Sequence, residues 1–145
     1  MDPSPTAPAW RTRWQRRVPP GLMQFLRFGT VGALGFVVDN AVLYALRGSV
    51  GNYWAAALSF PVAATVTWAV NRAWTFRGLG AGPAHRQWLR FVATNALGFV
   101  LNRGVYALVV SSFAVAAANP VIGTFAGTLA GMFVNFYLSR RLVFR

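Results

Sequence analysis

The stretch FGTVGALGFVVDNAVLYAL, Phe28 to Leu46, is an apolar run interrupted by a single ionisable group, Asp39. About 20 such residues cross a hydrocarbon core as a helix. A charge held at that depth is expensive, so it is rarely kept without a partner or a job. Asp39 is one of only two acids in the chain, and the other, Asp2, sits close to the N-terminus. Arg103 lies at an equivalent depth in a second apolar run. The first expectation is therefore a small membrane protein with a buried Asp39–Arg103 charge pair.

Working outward, four runs are long and apolar enough to span: Leu22 to Leu46, Tyr53 to Val70, Trp88 to Val110 and Pro120 to Leu138. Apolar residues make up 56% of the 145 residues and charged ones 11%, too little polar surface for a basic soluble domain. The net charge of +12 does not point to nucleic acid, because the arginines cluster at the ends of the apolar runs rather than forming one face of a soluble fold. There is no cysteine, which excludes disulfides and thiol chemistry. Residues 1–21 form a basic arm with Trp10, Trp14 and several prolines, expected to be disordered or interfacial and suited to anionic lipid headgroups. The apolar run that follows is too long for a signal peptide and is expected to be a retained first span.

Twelve arginines flank one side of the four runs, against Arg47 alone on the other. This bias places both termini in the cytoplasm. The chain also repeats itself. Leu26-Arg27-Phe28, Gly35-Phe36 and Asp39-Asn40 recur 63 residues later as Leu89-Arg90-Phe91, Gly98-Phe99 and Asn102-Arg103. Asn71-Arg72-Ala73-Trp74-Thr75-Phe76-Arg77 aligns with Ser139-Arg140-Arg141-Leu142-Val143-Phe144-Arg145. The expected fold is all-α: four transmembrane helices as two parallel-repeat hairpins, about 22–77 and 85–145, related by a pseudo-two-fold axis along the membrane normal.

Span four carries Gly123, Gly127, Gly131, Asn135 and Ser139 at every fourth position, and span two the matching series Ala55, Ser59, Ala63, Thr67 and Asn71. Residues four apart share a helix face, and small ones let backbones approach closely. Asn71, Thr67 and Asn135 need polar partners in hydrocarbon. They read either as packing contacts or as the lining of a polar groove. Asp39, Asn40, Asn102 and Arg103 read either as a structural ion pair with its neighbours or as a gate. At the cytoplasmic rim stand Arg27, Arg72, Arg90, Arg140 and Arg141, with Trp74 and Trp88 at the same level. Arginine grips phosphate with a planar fork of donors, although positive-inside anchoring accounts for most of these residues. Catalysis finds little support: no carboxylate pair, no metal-ligand cluster, and His85 alone in a loop. No cofactor is expected.

In order and spacing, Phe25-Leu26-Arg27-Phe28, Val31-Gly32, Gly35-Phe36, Asp39 and Asn71-Arg72-Ala73-Trp74-Thr75-Phe76 resemble the GtrA-like family of small four-span membrane proteins. Leu89-Arg90-Phe91, Asn95, Gly98, Asn135 and Ser139-Arg140-Arg141-Leu142-Val143-Phe144 extend the likeness through the second half, with Leu142 where the first half has Trp74. The resemblance implies a bacterial plasma-membrane protein that moves a polyprenyl-phosphate-linked sugar to the outer leaflet for cell-surface polysaccharide synthesis. It implies a membrane glycosyltransferase as the consumer. On that reading Arg72 and Arg140, with Arg27 or Arg90, capture the phosphate. A non-transporting scaffold for a glycosyltransferase and a small proton-coupled cation exporter are the alternatives. A homo-oligomer is compatible with so small a bundle, with the glycine stripe either at its interface or packed inside one protomer.

Overall fold

The computed structural model describes residues 19–80 and 82–145, so most of the basic arm lies outside the described residues. The secondary structure is helical: α1 (Pro20–Val70), a π-helical turn (Asn71–Thr75), α2 (Ala84–Ser112), the short α3 (Ala114–Ala118), α4 (Val121–Leu138) and a second π-helical turn (Ser139–Val143). Three apolar segments are long enough to cross a membrane: Pro20–Thr75, Ala84–Ser112 and Val121–Val143.

The first segment would be a rod of roughly 80 Å if straight, at ~1.5 Å per residue, far more than one crossing of about 30 Å needs. It is not straight. Gly51 breaks α1 with φ 80° and ψ 165°, a conformation that side chains disfavour. The two arms, 20–50 and 52–70, fold back as a hairpin. Ser59 Oγ donates to Asp39 Oδ1 at 2.6 Å, 20 residues away in sequence, and Gly35 faces the Thr67 side chain. The turn expected over Gly48–Asn52 thus contracts to a break at Gly51.

The second connection also differs from expectation. Gly78, Gly80 and Gly82 have positive φ and turn the chain, and α2 starts at Ala84 behind Pro83. His85, Arg86 and Gln87 therefore lie in the first turn of α2 rather than in a loop. A proline-led first turn suits helix initiation, since the missing N–H would have had no partner there.

Within the second half, α2 packs along α4. Gly123, Gly127 and Gly131 are the buried residues of α4. A Cβ on Gly127 would run into the Asn102 backbone carbonyl, and one on Gly131 would sit 2.9 Å from the Gly98 carbonyl oxygen. The glycine stripe is accordingly an intrachain contact that lets two backbones touch, and it does not face outward. The matching series in α1 behaves alike: Ala55, Ser59, Ala63 and Asn71 are all buried.

The two hairpins join through phenylalanines. Phe76 and Phe144, equivalent in the repeat, stack at 4.4 Å between centroids with 9° between planes. Each is flanked edge-on by another equivalent pair: Phe28 lies 6.1 Å from Phe76, and Phe91 lies 6.1 Å from Phe144. Both stacked rings follow a π-turn closed by the same bond, Phe76 N–H to Asn71 O and Phe144 N–H to Ser139 O. The extra residue in each turn brings the aromatic ring onto the core side. This small cluster, with Val143, is the buried apolar core. Many large apolar side chains, such as Val100, Phe125 and Phe133, are exposed, as expected where the surroundings are lipid rather than water.

Candidate functional site

A cavity of about 570 Å³ lies between the hairpins. Its walls come in repeat-related pairs: Phe28 and Phe91, Gly35 and Gly98, Phe36 and Phe99, Asp39 and Asn102, Ala63 and Gly131, Thr67 and Asn135. The pseudo-two-fold relation therefore runs through it. The glycines and alanines are what leave it room. The level of Phe28 and that of Asp39 are eleven residues apart, or about 16 Å along a helix at ~1.5 Å per residue.

Among the described residues, Asp39 is the sole ionisable side chain lining this cavity. It is half-buried and accepts the hydrogen bond from Ser59, a short contact typical of a charge-assisted acceptor. Four asparagines join it: Asn71, Asn95, Asn102 and Asn135. The Asn95 amide donates to Phe91 O of its own helix at 2.8 Å, and Asn102 reaches Thr128 Oγ1 at 3.5 Å. Thr67 donates to Ala63 O and Ala64 O. Asn71 is 2% exposed, yet its Oδ1 has no hydrogen-bond partner, and the Oδ1 of Asn135 is likewise unpartnered. Such buried orphans are uncommon, and each calls for a reason.

Of the residues expected from the sequence, Asp39, Asn102, Thr67, Asn71 and Asn135 all meet in this one space. The Asp39–Arg103 pair is corrected. Arg103 is exposed, does not line the cavity, and sits over the Phe99 ring at 5.4 Å. Its repeat mate Asn40 also stays off the cavity and bonds Phe36 O of its own helix at 2.8 Å. The reason is angular. Asp39 and Asn102 are equivalent and face the axis together, and one further residue turns a side chain by about 100° around a helix. The alignment that equates Arg103 with Asn40 carries this signal.

The rim arginines also stand apart from the cavity. Arg72 donates to Gln87 Oε1 at 3.1 Å and lies over Trp68, and Arg27 lies over Trp74 at 5.6 Å. Arg140 approaches Gly21, its Nη1 3.5 Å from where a Cβ there would stand. Arg141 covers Tyr137, and Arg90 is exposed. Each hairpin's closing arginine, Arg72 or Arg140, thus reaches the entering helix of the other hairpin. Neither Trp74 nor Trp88 lines the cavity as expected; Trp88 instead donates to Thr65 Oγ1 at 3.1 Å.

Sequence reasoning passed over Gln24 and Gln87. Gln87 is buried and accepts from both Trp68 Nε1 and Arg72, while Gln24 donates to Thr75 O at 3.3 Å. They occupy equivalent positions 63 residues apart, the same offset that relates the other repeat pairs.

No individual curated protein matches the chain. The family described as GtrA/DPMS, transmembrane domain, matches residues 27–144, from the first rim arginine to the second stacked phenylalanine. The match takes in both hairpins, the cavity and the two π-turns, and the chain is accordingly a membrane protein of the GtrA-like family.

Proposed function

We propose that this protein carries a polyprenyl-phosphate-linked sugar across the membrane, from the cytoplasmic to the outer leaflet, through the cavity between its hairpins. The observation that carries the reading is the cavity itself: a mostly apolar space that holds four asparagines and one carboxylate within an apolar bundle. Hydrocarbon excludes a hydroxyl-rich sugar, because its polar groups would lose their hydrogen bonds to water without replacement. The asparagines offer replacements, while the prenyl tail remains in lipid. On this reading the four helical passages, 20–50, 52–70, α2 and α4, each cross the bilayer, with both termini in the cytoplasm. The cavity then reaches about half-way through a core of about 30 Å.

The rim arginines supply the phosphate site. Arg72 and Arg140 stand at equivalent corners where the two hairpins touch, flanked by Arg27 and Arg90. A guanidinium fork suits a phosphodiester oxygen pair. The test is transport of a polyprenyl-phosphate glucose in liposomes that contain only this protein. The Arg72→Ala/Arg140→Ala double variant should require roughly tenfold more lipid for half-maximal rate, a loss in line with removed charge-assisted bonds. An unchanged requirement at equal expression removes both arginines from the site. Absence of movement by folded wild-type protein, across several sugar donors, favours a scaffold for a glycosyltransferase.

A further inference from the structure

The cavity and its rim carry opposite charge. The rim gathers arginines, yet none of them lines the cavity, and the one deep arginine, Arg103, turns away over Phe99. Among the described residues, the sole ionisable side chain lining the cavity is Asp39. The two unpartnered amide oxygens beside it, on Asn71 and Asn135, are packed within the protein, so Asp39 is the acceptor the cavity presents. Asn71 is almost wholly buried, and its Oδ1 is unpartnered, as is that of Asn135 on the opposite hairpin. Three donors beside it are engaged inside the protein: the Asn95 amide with Phe91 O, the Asn102 amide with Thr128, the Thr67 hydroxyl with its own helix.

The geometry points to a glycosyl subsite that admits non-acidic sugar heads and rejects acidic ones, while the lipid phosphate stays outside among the rim arginines. This inference rests on the cavity receiving the head of a lipid-linked sugar, the part of the proposed function that binding alone tests. Hydroxyl and ammonium groups can donate to the Asp39 carboxylate, whereas an ionised carboxylate cannot. A second anion beside Asp39, in a space walled by phenylalanine, glycine and alanine, meets like-charge repulsion that water screens poorly. Asp39 is thereby a specificity-determining residue: it selects the charge of the head.

The experiment compares three short-chain lipids, farnesyl phosphate linked to glucose, to glucuronate and to glucosamine, binding to the purified protein in nanodiscs. Affinity is read from the concentration dependence of thermal stabilisation. Wild type should bind the glucose lipid at least about tenfold more tightly than the glucuronate lipid, a modest value for a like-charge contact of this kind. It should bind the glucosamine lipid at least as tightly as the glucose lipid. Asp39→Asn should narrow the glucose–glucuronate gap to about twofold, whatever its effect on the glucose lipid alone, because the amide carries no charge to repel the glucuronate. Equal or tighter glucuronate binding by wild type, an unchanged gap in the variant, or no binding of any lipid overturns the subsite. If Asp39→Asn does not fold, the order of the three lipids on wild type decides alone. Preferential glucose binding without any transbilayer movement would sink the carrier reading and leave the subsite standing.

Discussion

At the scale of single residues, position relative to the pseudo-two-fold axis decides what each polar group does. Asp39 and Asn102 meet at the cavity, while Asn40 and Arg103, one residue further along, do not. Glycines divide in the same manner. Gly127 stands against the Asn102 carbonyl, whereas a Cβ on Gly104 would meet nothing within 4 Å. Gly127→Ala should thus lower stability by about 1–3 kcal/mol, the usual effect of forcing a methyl into a filled contact. Gly104→Ala should leave stability near wild type, and thermal unfolding in a mild detergent compares them. Equal midpoints for the two variants would contradict the close backbone contact between α2 and α4. The spacing of Gly123, Gly127 and Gly131 marks the stripe in the sequence. Which neighbour it meets is not encoded in spacing, since lipid, a second copy or α2 could each face a row of small side chains.

The elements follow from hydropathy and repeat length. The hairpins, the shared offset between halves and the small-residue faces are all legible before any coordinates. Helix limits are less so. Between Leu46 and Tyr53 the sequence reads as a gap between two apolar runs, yet helix persists on both sides of Gly51, where the backbone alone turns. The π-turns at Asn71–Thr75 and Ser139–Val143 have no hydropathy signature. Even so, they place Phe76 and Phe144 at the centre of the bundle. The motif ending in those phenylalanines is visible as a repeat, but its purpose, a stack of equivalent rings, depends on the extra residue in each turn. Replacing either Phe76 or Phe144 with alanine should cost about 3–5 kcal/mol. The double-mutant cycle should show a coupling of about 0.5–1.5 kcal/mol from the ring–ring contact. Strict additivity would mean that the two hairpins do not meet through these rings.

On the scale of the whole molecule, two hairpins held by a small aromatic cluster flank an open, largely apolar cavity that carries a few polar side chains. The polar set of the cavity is legible: Thr67, Asn71 and Asn135 by their four-residue spacing, Asp39 as the lone charge in its apolar run, and Asn102 as its repeat equivalent. The separation of arginines from the cavity is not, because rim and cavity residues are neighbours in sequence, as Asn71 and Arg72 are. The bundle's central claim is that a sugar head travels through this cavity. Gly32 gives a direct way to block it, since it lines the cavity and a Cβ there meets nothing within 4 Å. The measurement is the rate of transbilayer movement of polyprenyl-phosphate glucose in liposomes, for wild type and for Gly32→Phe with an unchanged unfolding midpoint. The account predicts movement by wild type and a loss of at least about tenfold in the variant, because a phenylalanine side chain fills space that the head would occupy. Wild-type rates in a folded Gly32→Phe protein would contradict it.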